Sequence, residues 1–102
     1  MIQINKVELQ GYIGNVRENK VNNSYAYDFS VATNMFFGDV TETTWHTIKM
    51  WSDTQRTDLE KGKAVHVNGY LRSSSYVDNN GNDRKLYYIQ AKPENVKIVT
   101  NE

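Results

Sequence analysis

One stretch of the sequence, TTWHTIKMW, contains both tryptophans of the chain and a lysine between them. If this stretch is a β-strand, its side chains alternate between two faces, and Trp45, Lys49 and Trp51 share one of them. A strand rises ~3.3 Å per residue, so the two indole rings would stand roughly 20 Å apart. Indole rings stack on flat apolar groups, and an ammonium group pairs with an anion such as a phosphate. The spacing therefore indicates a surface for a ligand that combines flat rings with negative charge.

The outward orientation of both tryptophans is inferred from the opposite face of the same strand. Ile48 and Met50 occupy that face and fill volume without polar partners, so we expect them to point into the core. The alternative is that the tryptophans are core residues, but Lys49 would then be buried beside them without a partner, which is costly. Exposed tryptophans need a cover, either another protein subunit or a ligand with flat apolar faces. The pattern of this strand is compatible with both.

The composition is that of a small domain with no overall charge. The chain has 102 residues, 38% of them apolar, so a single domain over residues 1–102 is expected. There is no cysteine, no apolar run of about 18 residues and no secretion-signal layout at the start, so a soluble, cytoplasmic protein without a membrane partner is predicted. Twelve Lys and Arg balance twelve Asp and Glu. Attraction to a charged partner must therefore be local.

Alternating apolar and polar residues predict five main strands and one short helix. The helix is expected between Ser52 and Gly62, where Ser52 or Asp53 can cap its first amides and Gly62 can end it. A hairpin turn is expected from Asp78 to Asp83, and a last short extended piece from Val96 to Val99. The predicted strands are Val7–Ile13, Tyr25–Thr33, residues 44–51, Ala64–Arg72 with a continuation to Val77, and Arg84–Ala91.

An antiparallel sheet with this order of elements is best closed into a barrel, because closure removes exposed strand edges. The predicted fold is all-β: a five-stranded Greek-key oligonucleotide/oligosaccharide-binding (OB) barrel. Its one short helix lies between the third and fourth strands, and a long hairpin joins the fourth and fifth.

Further aromatic and basic residues fall in the predicted loops and hairpin. Phe36 and Phe37 are expected in the loop before the third strand, and Tyr76 on the outgoing arm of the hairpin. Arg72, Arg84 and Lys85 lie near the base and the return of that hairpin. Each alone is typical of ordinary packing or of a solvated surface. Together they would extend the surface of the tryptophan strand.

Short motifs in the same order along nearly the whole chain resemble bacterial-type single-stranded-DNA-binding proteins. The motifs are Asn5-Lys6-Val7 with Leu9 and Gly11, Ala32-Thr33, Thr44-Trp45-His46, Lys61-Gly62, Val65 to Gly69 with Leu71-Arg72, and Asp78 to Arg84. The resemblance implies a homotetramer of OB barrels that wraps single-stranded DNA without sequence preference during replication, recombination and repair. It also implies that bases stack at the positions of Phe37, Trp45, Trp51 and Tyr76.

Departures from the family pattern concern phosphate contact and partner recruitment. The family usually has a basic residue at the position of Thr47 and further basic residues along Ser73-Ser74-Ser75, so weaker phosphate contact is expected. The segment from Met35 to Thr43 and the helix are shorter than usual. The sequence ends Thr100-Asn101-Glu102, without the acidic, apolar tip that recruits repair and replication enzymes in the family. Recruitment through such a tail is not expected.

Other chemistry is weakly indicated. The resemblance places His66, Asn68 and Lys6 at a subunit contact, where a histidine would make assembly depend on pH. The acidic hairpin turn lacks the glycine that a calcium loop needs at its sixth position, where this chain has Asp83. No nucleophile stands at motif spacing from a base, and no metal-ligand spacing occurs. Neither an enzyme nor a metal or cofactor site is predicted.

The sequence thus predicts an oligomeric protein, a homotetramer or a dimer, that binds single-stranded DNA. The predicted binding residues are Trp45, Trp51, Phe37 and Tyr76 for stacking and Lys49, Arg72, Arg84 and Lys85 for phosphate. One alternative is a primosome-accessory type of dimer that acts mainly through protein contacts. Another is a structural barrel whose tryptophans are covered by a partner subunit.

Overall fold

The computed structural model of the chain describes residues 2–100. Asn101 and Glu102, on which the expectation about the C-terminal end depends, lie outside the described residues. The structure contains the five predicted strands, and they are longer than the alternation alone indicated. They are β1 (Val7–Val21), β2 (Ser24–Phe37), β3 (Val40–Ser52), β4 (Ala64–Val77) and β5 (Asp83–Ile98).

The strands form a closed barrel in the order β1-β2-β3-β5-β4, and β4 pairs with β1. Neighbours that follow one another in the chain are antiparallel, whereas β3 and β5 pair in parallel over a short stretch from Ile48–Ile89 to Met50–Ala91. This arrangement confirms the predicted five-stranded OB barrel. Closure leaves the body of the sheet without a free edge.

The core follows from the period-two pattern of the strands. On β2, Tyr27, Phe29 and Val31 point inward while Asp28 between them is exposed. Ile48 and Met50 of β3 are buried as predicted. The remaining buried members are Ile13, Leu59, Val65, Val67, Ile89, Ala91 and Val96.

The predicted helix between Ser52 and Gly62 is wrong, since residues 53–60 form an irregular connection and residues 61–62 a turn. A helix of about two turns is marginal in water unless an apolar face packs, and only Leu59 of this segment is buried in the core. Ser52 Oγ also donates to the Thr54 carbonyl at 2.7 Å and accepts from the Thr54 N–H at 3.3 Å, a local turn that competes with helix. The described residues contain no helix that could span a membrane.

Arg56 holds the connection against the barrel. Its backbone N–H donates to the Tyr27 hydroxyl at 2.6 Å, and its guanidinium donates to the carbonyls of Pro93 at 3.0 Å and Val96 at 2.8 Å. Two further bonds, 2.8 and 3.0 Å long, join the guanidinium to the Asp58 carboxylate. We call Arg56, Tyr27 and Asp58 the Arg56 cluster. These contacts fix an extended path that a helix could not follow.

Strand ends also differ from the prediction. β1 does not end at Ile13 as predicted but continues to Val21 through a bulge at Gly14-Asn15, where the register with β2 shifts between Ile13 and Val16. The predicted loop before β3 is instead a hairpin that continues β2 and β3 on either side of Gly38, whose φ is 61°. Phe36 and Phe37 therefore lie at the end of a strand. The predicted turn at Asp78–Asp83 is confirmed, because the Asp78 carboxylate accepts two backbone N–H bonds of 2.9 Å within it.

Candidate nucleic-acid interface

The outer face of β3 presents both tryptophans to solvent. Trp45 is 60% exposed and Trp51 is 53% exposed, while the alternate residues Ile48 and Met50 are buried. Lys49 lies between the indoles and is about half exposed. The predicted outward orientation of this face is confirmed, and the core alternative for the tryptophans is excluded.

Residues paired across the strands extend this face around the barrel. Partners that are opposite each other in a sheet point to the same side, so their side chains form one surface. Asp28 of β2 is opposite Lys49, Gln90 of β5 pairs with Lys49 on the other side, and Arg72 of β4 is opposite Tyr88 of β5. We call this surface the outer wall; its members are Asp28, Trp45, Lys49, Trp51, Arg72, Tyr88 and Gln90.

Two neighbours lie close to the Lys49 ammonium group. Its Nζ lies 3.6 Å from Asp28 Oδ1 and 5.2 Å from the centre of the Tyr88 ring. Arg17 of β1 is opposite Asp28 in register, so the carboxylate lies between cations on the two flanking strands. We call Arg17, Asp28 and Lys49 the charged row. The row crosses three adjacent strands and lines a groove of about 290 Å³ with Thr47, Ser74, Leu86, Tyr87 and Tyr88.

Trp45 is supported on its β1 side by a glycine. A Cβ at Gly14 would lie 2.5 Å from Trp45 Cζ3 and 2.6 Å from Ser30 Oγ, so only glycine allows the indole to pack this closely. The Asn15 N–H donates to Ser30 Oγ at 3.0 Å and holds the bulge beside it. An open cavity of about 570 Å³ borders the indole here and is also lined by Lys61. The ring is thus positioned along one edge while much of its surface stays accessible.

Two more predicted residues share the outer-wall side of the β4–β5 hairpin. Tyr76 has the same alternation as Arg72, and Arg84 is opposite Tyr76 in register. Arg72 donates to Gln90 Oε1 at 3.0 Å. Arg84 Nε donates to Asp78 Oδ2 at 2.9 Å, and this bond lowers the pKa of the Asp78 carboxyl. Arg84 is therefore engaged in closing the turn.

Phe37 and Lys85 do not share this side. Phe37 pairs with Val40, and its side chain points to the opposite face of the sheet from Phe36. It is Phe36 that shares the face of Trp45. Lys85 pairs with Ser75 and points away from the side of Tyr76. Both side chains are exposed, on the other faces of their hairpins. The structure brings six of the eight predicted binding residues to one side of the sheet and leaves these two outside it.

The residues predicted at a subunit contact lie on the outer side of β1 and β4. His66 Nε2 is 2.7 Å from Glu8 Oε2, and Asn68 is opposite Glu8 in register. Lys6 is exposed just before β1 begins. The other histidine, His46, bonds Thr33 Oγ1 at 2.8 Å between β2 and β3. Residues 2–100 contain no cluster of three potential metal ligands.

Sequence reasoning missed Arg17, Asp28 and Tyr88. Arg17 lies beyond Ile13, the predicted end of the first strand, so the alternation assigns it no face. Asp28 and Tyr88 could each be assigned an outward face from alternation. The place of Tyr88 beside Lys49 was not readable, because β5 reaches β3 only through closure of the barrel, and the place of Asp28 depends on the register of the β2–β3 hairpin.

Comparison with known proteins agrees with this geometry. Residues 4–99 match the Single-strand binding protein family. A relative from Chlorobaculum tepidum, Single-stranded DNA-binding protein 1, is 33% identical over 92 residues; the match covers 80% of this chain but only 57% of the relative. The structure of the Plasmodium falciparum SSB complex with ssDNA superposes with a TM-score of 0.79 at 24% identity, over 100% of this chain and 98% of that one, which is a likeness of fold. The chain belongs to the single-strand binding protein family.

Proposed function

We propose that this protein binds single-stranded DNA without sequence preference and protects it in the cytoplasm during replication, recombination or repair, without catalysing a reaction. The observation that carries the proposal is the outer wall, where two half-exposed indoles flank a lysine on a closed OB barrel. Membership of the family and the names of the relative and the structural neighbour, both of which mention single-stranded DNA, support it.

The wall has the parts that a single strand requires. Bases stack on the exposed faces of Trp45 and Trp51. This stacking tolerates any DNA sequence, because every base has a flat face. Lys49 on β3 and Arg72 on β4, with β5 between them, meet backbone phosphates. Tyr76 and Arg84 continue the path along the β4–β5 hairpin. Phe37 and Lys85 join it where the strand passes around the edges of the hairpins.

Titration with oligo-dT, followed by tryptophan fluorescence, tests the stacking mechanism directly. Both tryptophans belong to the proposed site, so fluorescence should be quenched on binding. Trp45→Ala and Trp51→Ala should each weaken binding by about 1–3 kcal/mol, roughly fivefold to 150-fold. Trp45→Phe, the matched control, keeps a stacking ring and should retain most of the affinity. Fluorescence that oligo-dT leaves unchanged at low salt would rule the proposal out.

We further propose that the protein assembles with itself through the outer side of β1 and β4, as a homotetramer or, alternatively, a dimer. His66, Asn68 and Lys6 lie on or beside this surface, and the partly buried His66 contacts Glu8 within it. Sedimentation at about pH 5.5 and about pH 7.5, on either side of the range in which histidine titrates, should show a change in assembly. An oligomer that does not change would count against a role for His66. A dimer that does not bind the oligonucleotide would favour the alternative function, that of an accessory protein that acts through protein contacts.

A further inference from the structure

The charged row contains an anion where a DNA-binding surface calls for cations. Asp28 projects from the middle of β2 onto the outer wall, opposite Arg17 on one side and Lys49 on the other. All three line the same groove. A phosphate that approaches Lys49 therefore meets a carboxylate that already contacts the ammonium group, 3.6 Å away.

We propose that Asp28 acts as an internal competitor of the DNA backbone: its carboxylate occupies Lys49, and a phosphate binds there only by displacing it. This inference rests on the proposed function of the outer wall. It assigns to Asp28 the role of lowering affinity and favouring release, in contrast to the cations around it.

The contacts of Asp28 differ from those of carboxylates that stabilise this fold. Asp58 accepts two guanidinium bonds of 2.8 and 3.0 Å, and Asp78 accepts two backbone N–H bonds and one from Arg84, all 2.9 Å long. Asp28 makes one longer contact, and its side chain is 50% exposed. An exposed pair of this kind contributes little to stability, so a ligand can open it at small cost. The carboxylate is held loosely enough to exchange with a phosphate.

Competition of this kind changes the salt dependence of binding as well as the affinity. Each phosphate that a protein cation neutralises on a single strand makes the slope of log K against log salt more negative by about 0.7. While Asp28 stays beside Lys49, the lysine adds no net positive charge to the site. Removal of the carboxylate charge should restore that contribution.

The test compares wild type with Asp28→Asn, which keeps the size of the side chain and removes its charge. In oligo-dT titrations over a series of salt concentrations, Asp28→Asn should bind about two- to fivefold more tightly at low salt, the range implied by opening an exposed ion pair. Its slope should be about 0.7 more negative. Thermal unfolding should show an unchanged midpoint, which excludes a difference in folding.

The matched control is Glu60→Gln. Glu60 and Lys63 form an ion pair of 3.4 Å that is about as exposed as the Asp28–Lys49 pair, but it lies in the β3–β4 connection and does not line the groove of the charged row. This substitution removes the same charge and breaks a comparable contact. It should leave affinity and slope close to those of wild type. An equal gain in both variants would show a general effect of net charge and overturn the inference.

A double variant tests whether Asp28 acts through Lys49. In a Lys49→Gln background the gain from Asp28→Asn should shrink, because no ammonium group remains to be released. A gain retained in full, or weaker binding by Asp28→Asn alone, would overturn the inference; the latter result would mean that Asp28 positions Lys49 for DNA. Wild-type protein that does not bind oligo-dT would refute the proposed function itself, so the two failures are distinguishable.

Discussion

The outer wall and the Arg56 cluster use the same types of residue for different ends. In each, a cation lies beside an aspartate and a tyrosine. The Lys49 side chain is 47% exposed and 3.6 Å from its carboxylate, whereas the Arg56 side chain is 17% exposed, 2.8 Å from its carboxylate and bonded to two backbone carbonyls. The number and length of the contacts, rather than the residue type, therefore distinguish a cation that stabilises the fold from one that is available to a ligand.

The tyrosines of the two regions differ in the same way. Tyr27 is 2% exposed, and its hydroxyl donates to Glu18 Oε1 at 2.6 Å while it accepts the Arg56 N–H. Burial, followed by the bond to Glu18, raises the pKa of Tyr27. The ring of Tyr88, on the outer wall, instead lies beneath the Lys49 ammonium group and lines the groove. Variants in the two regions should therefore separate loss of stability from loss of binding.

The largest expected difference is between two arginines. Arg56→Met removes charged hydrogen bonds to Pro93, Val96 and Asp58 and should destabilise the fold by about 2–3 kcal/mol, lowering the unfolding midpoint by about 10–20 °C. Arg72→Met removes one exposed bond to Gln90 and should shift the midpoint by only a few degrees, but it should weaken oligo-dT binding several-fold. Calorimetry and titration of both variants measure this. Equal thermal effects would remove the distinction between the regions.

Two glycines of β1 provide a comparison within one strand. At Gly11 an added Cβ would lie 2.1 Å from the Ala32 carbonyl oxygen, so Gly11→Ala should cost about 1–3 kcal/mol of stability because backbone must move. At Gly14 one of the nearest atoms belongs to the Trp45 ring, which can shift. Gly14→Ala should therefore reduce oligo-dT affinity more than Gly11→Ala does in folded protein, and should alter tryptophan fluorescence. Identical binding by both variants would contradict the proposed support of the indole.

Tyr27→Phe tests the polar centre of the Arg56 cluster. It leaves the Arg56 N–H without its acceptor and should cost about 1–2 kcal/mol, while Tyr25→Phe on the same strand is the control. Because the folded pKa of Tyr27 is raised above its ordinary 10.0, its contribution is present below pH 10 and is lost as pH rises through the folded value. Urea unfolding from about pH 9 to about pH 11 should show wild type losing stability faster than Tyr27→Phe. Parallel pH profiles would argue against this linkage.

The smallest expected effect concerns Asp58. The hydrogen bond from Arg56 lowers the folded pKa of Asp58 below its ordinary 3.8, so the contribution of this carboxylate is present above that value and is lost as pH falls through the folded one. With a side chain 44% exposed, the contribution is screened, and Asp58→Asn should cost only about 0.5 kcal/mol at neutral pH. The difference from wild type should shrink as pH falls below 3.8 and vanish once the carboxyl is protonated in the folded protein as well. A difference that persists there would mean that the loss is not electrostatic.

The sequence alone determined which side chains point inward, because alternation with a period of two is a local property of a strand. It predicted the five strands, the barrel they close into and the outward tryptophans of β3. The tertiary structure decided what depends on contacts between distant segments. Arg56 is bonded to Tyr27 and to carbonyls 37 and 40 residues away, which is why the local capping signals for a helix failed.

The composition of the outer wall was likewise decided by the tertiary structure. Barrel closure sets β5 beside β3 and brings Tyr88 to Lys49, while the bulge at Gly14-Asn15 returns Arg17 to the side of Asp28. The extended hairpins turn Phe37 and Lys85 to the other side. Alternation assigns a side chain to a face of its own strand, but only the register between strands determines which charges and rings meet on that face.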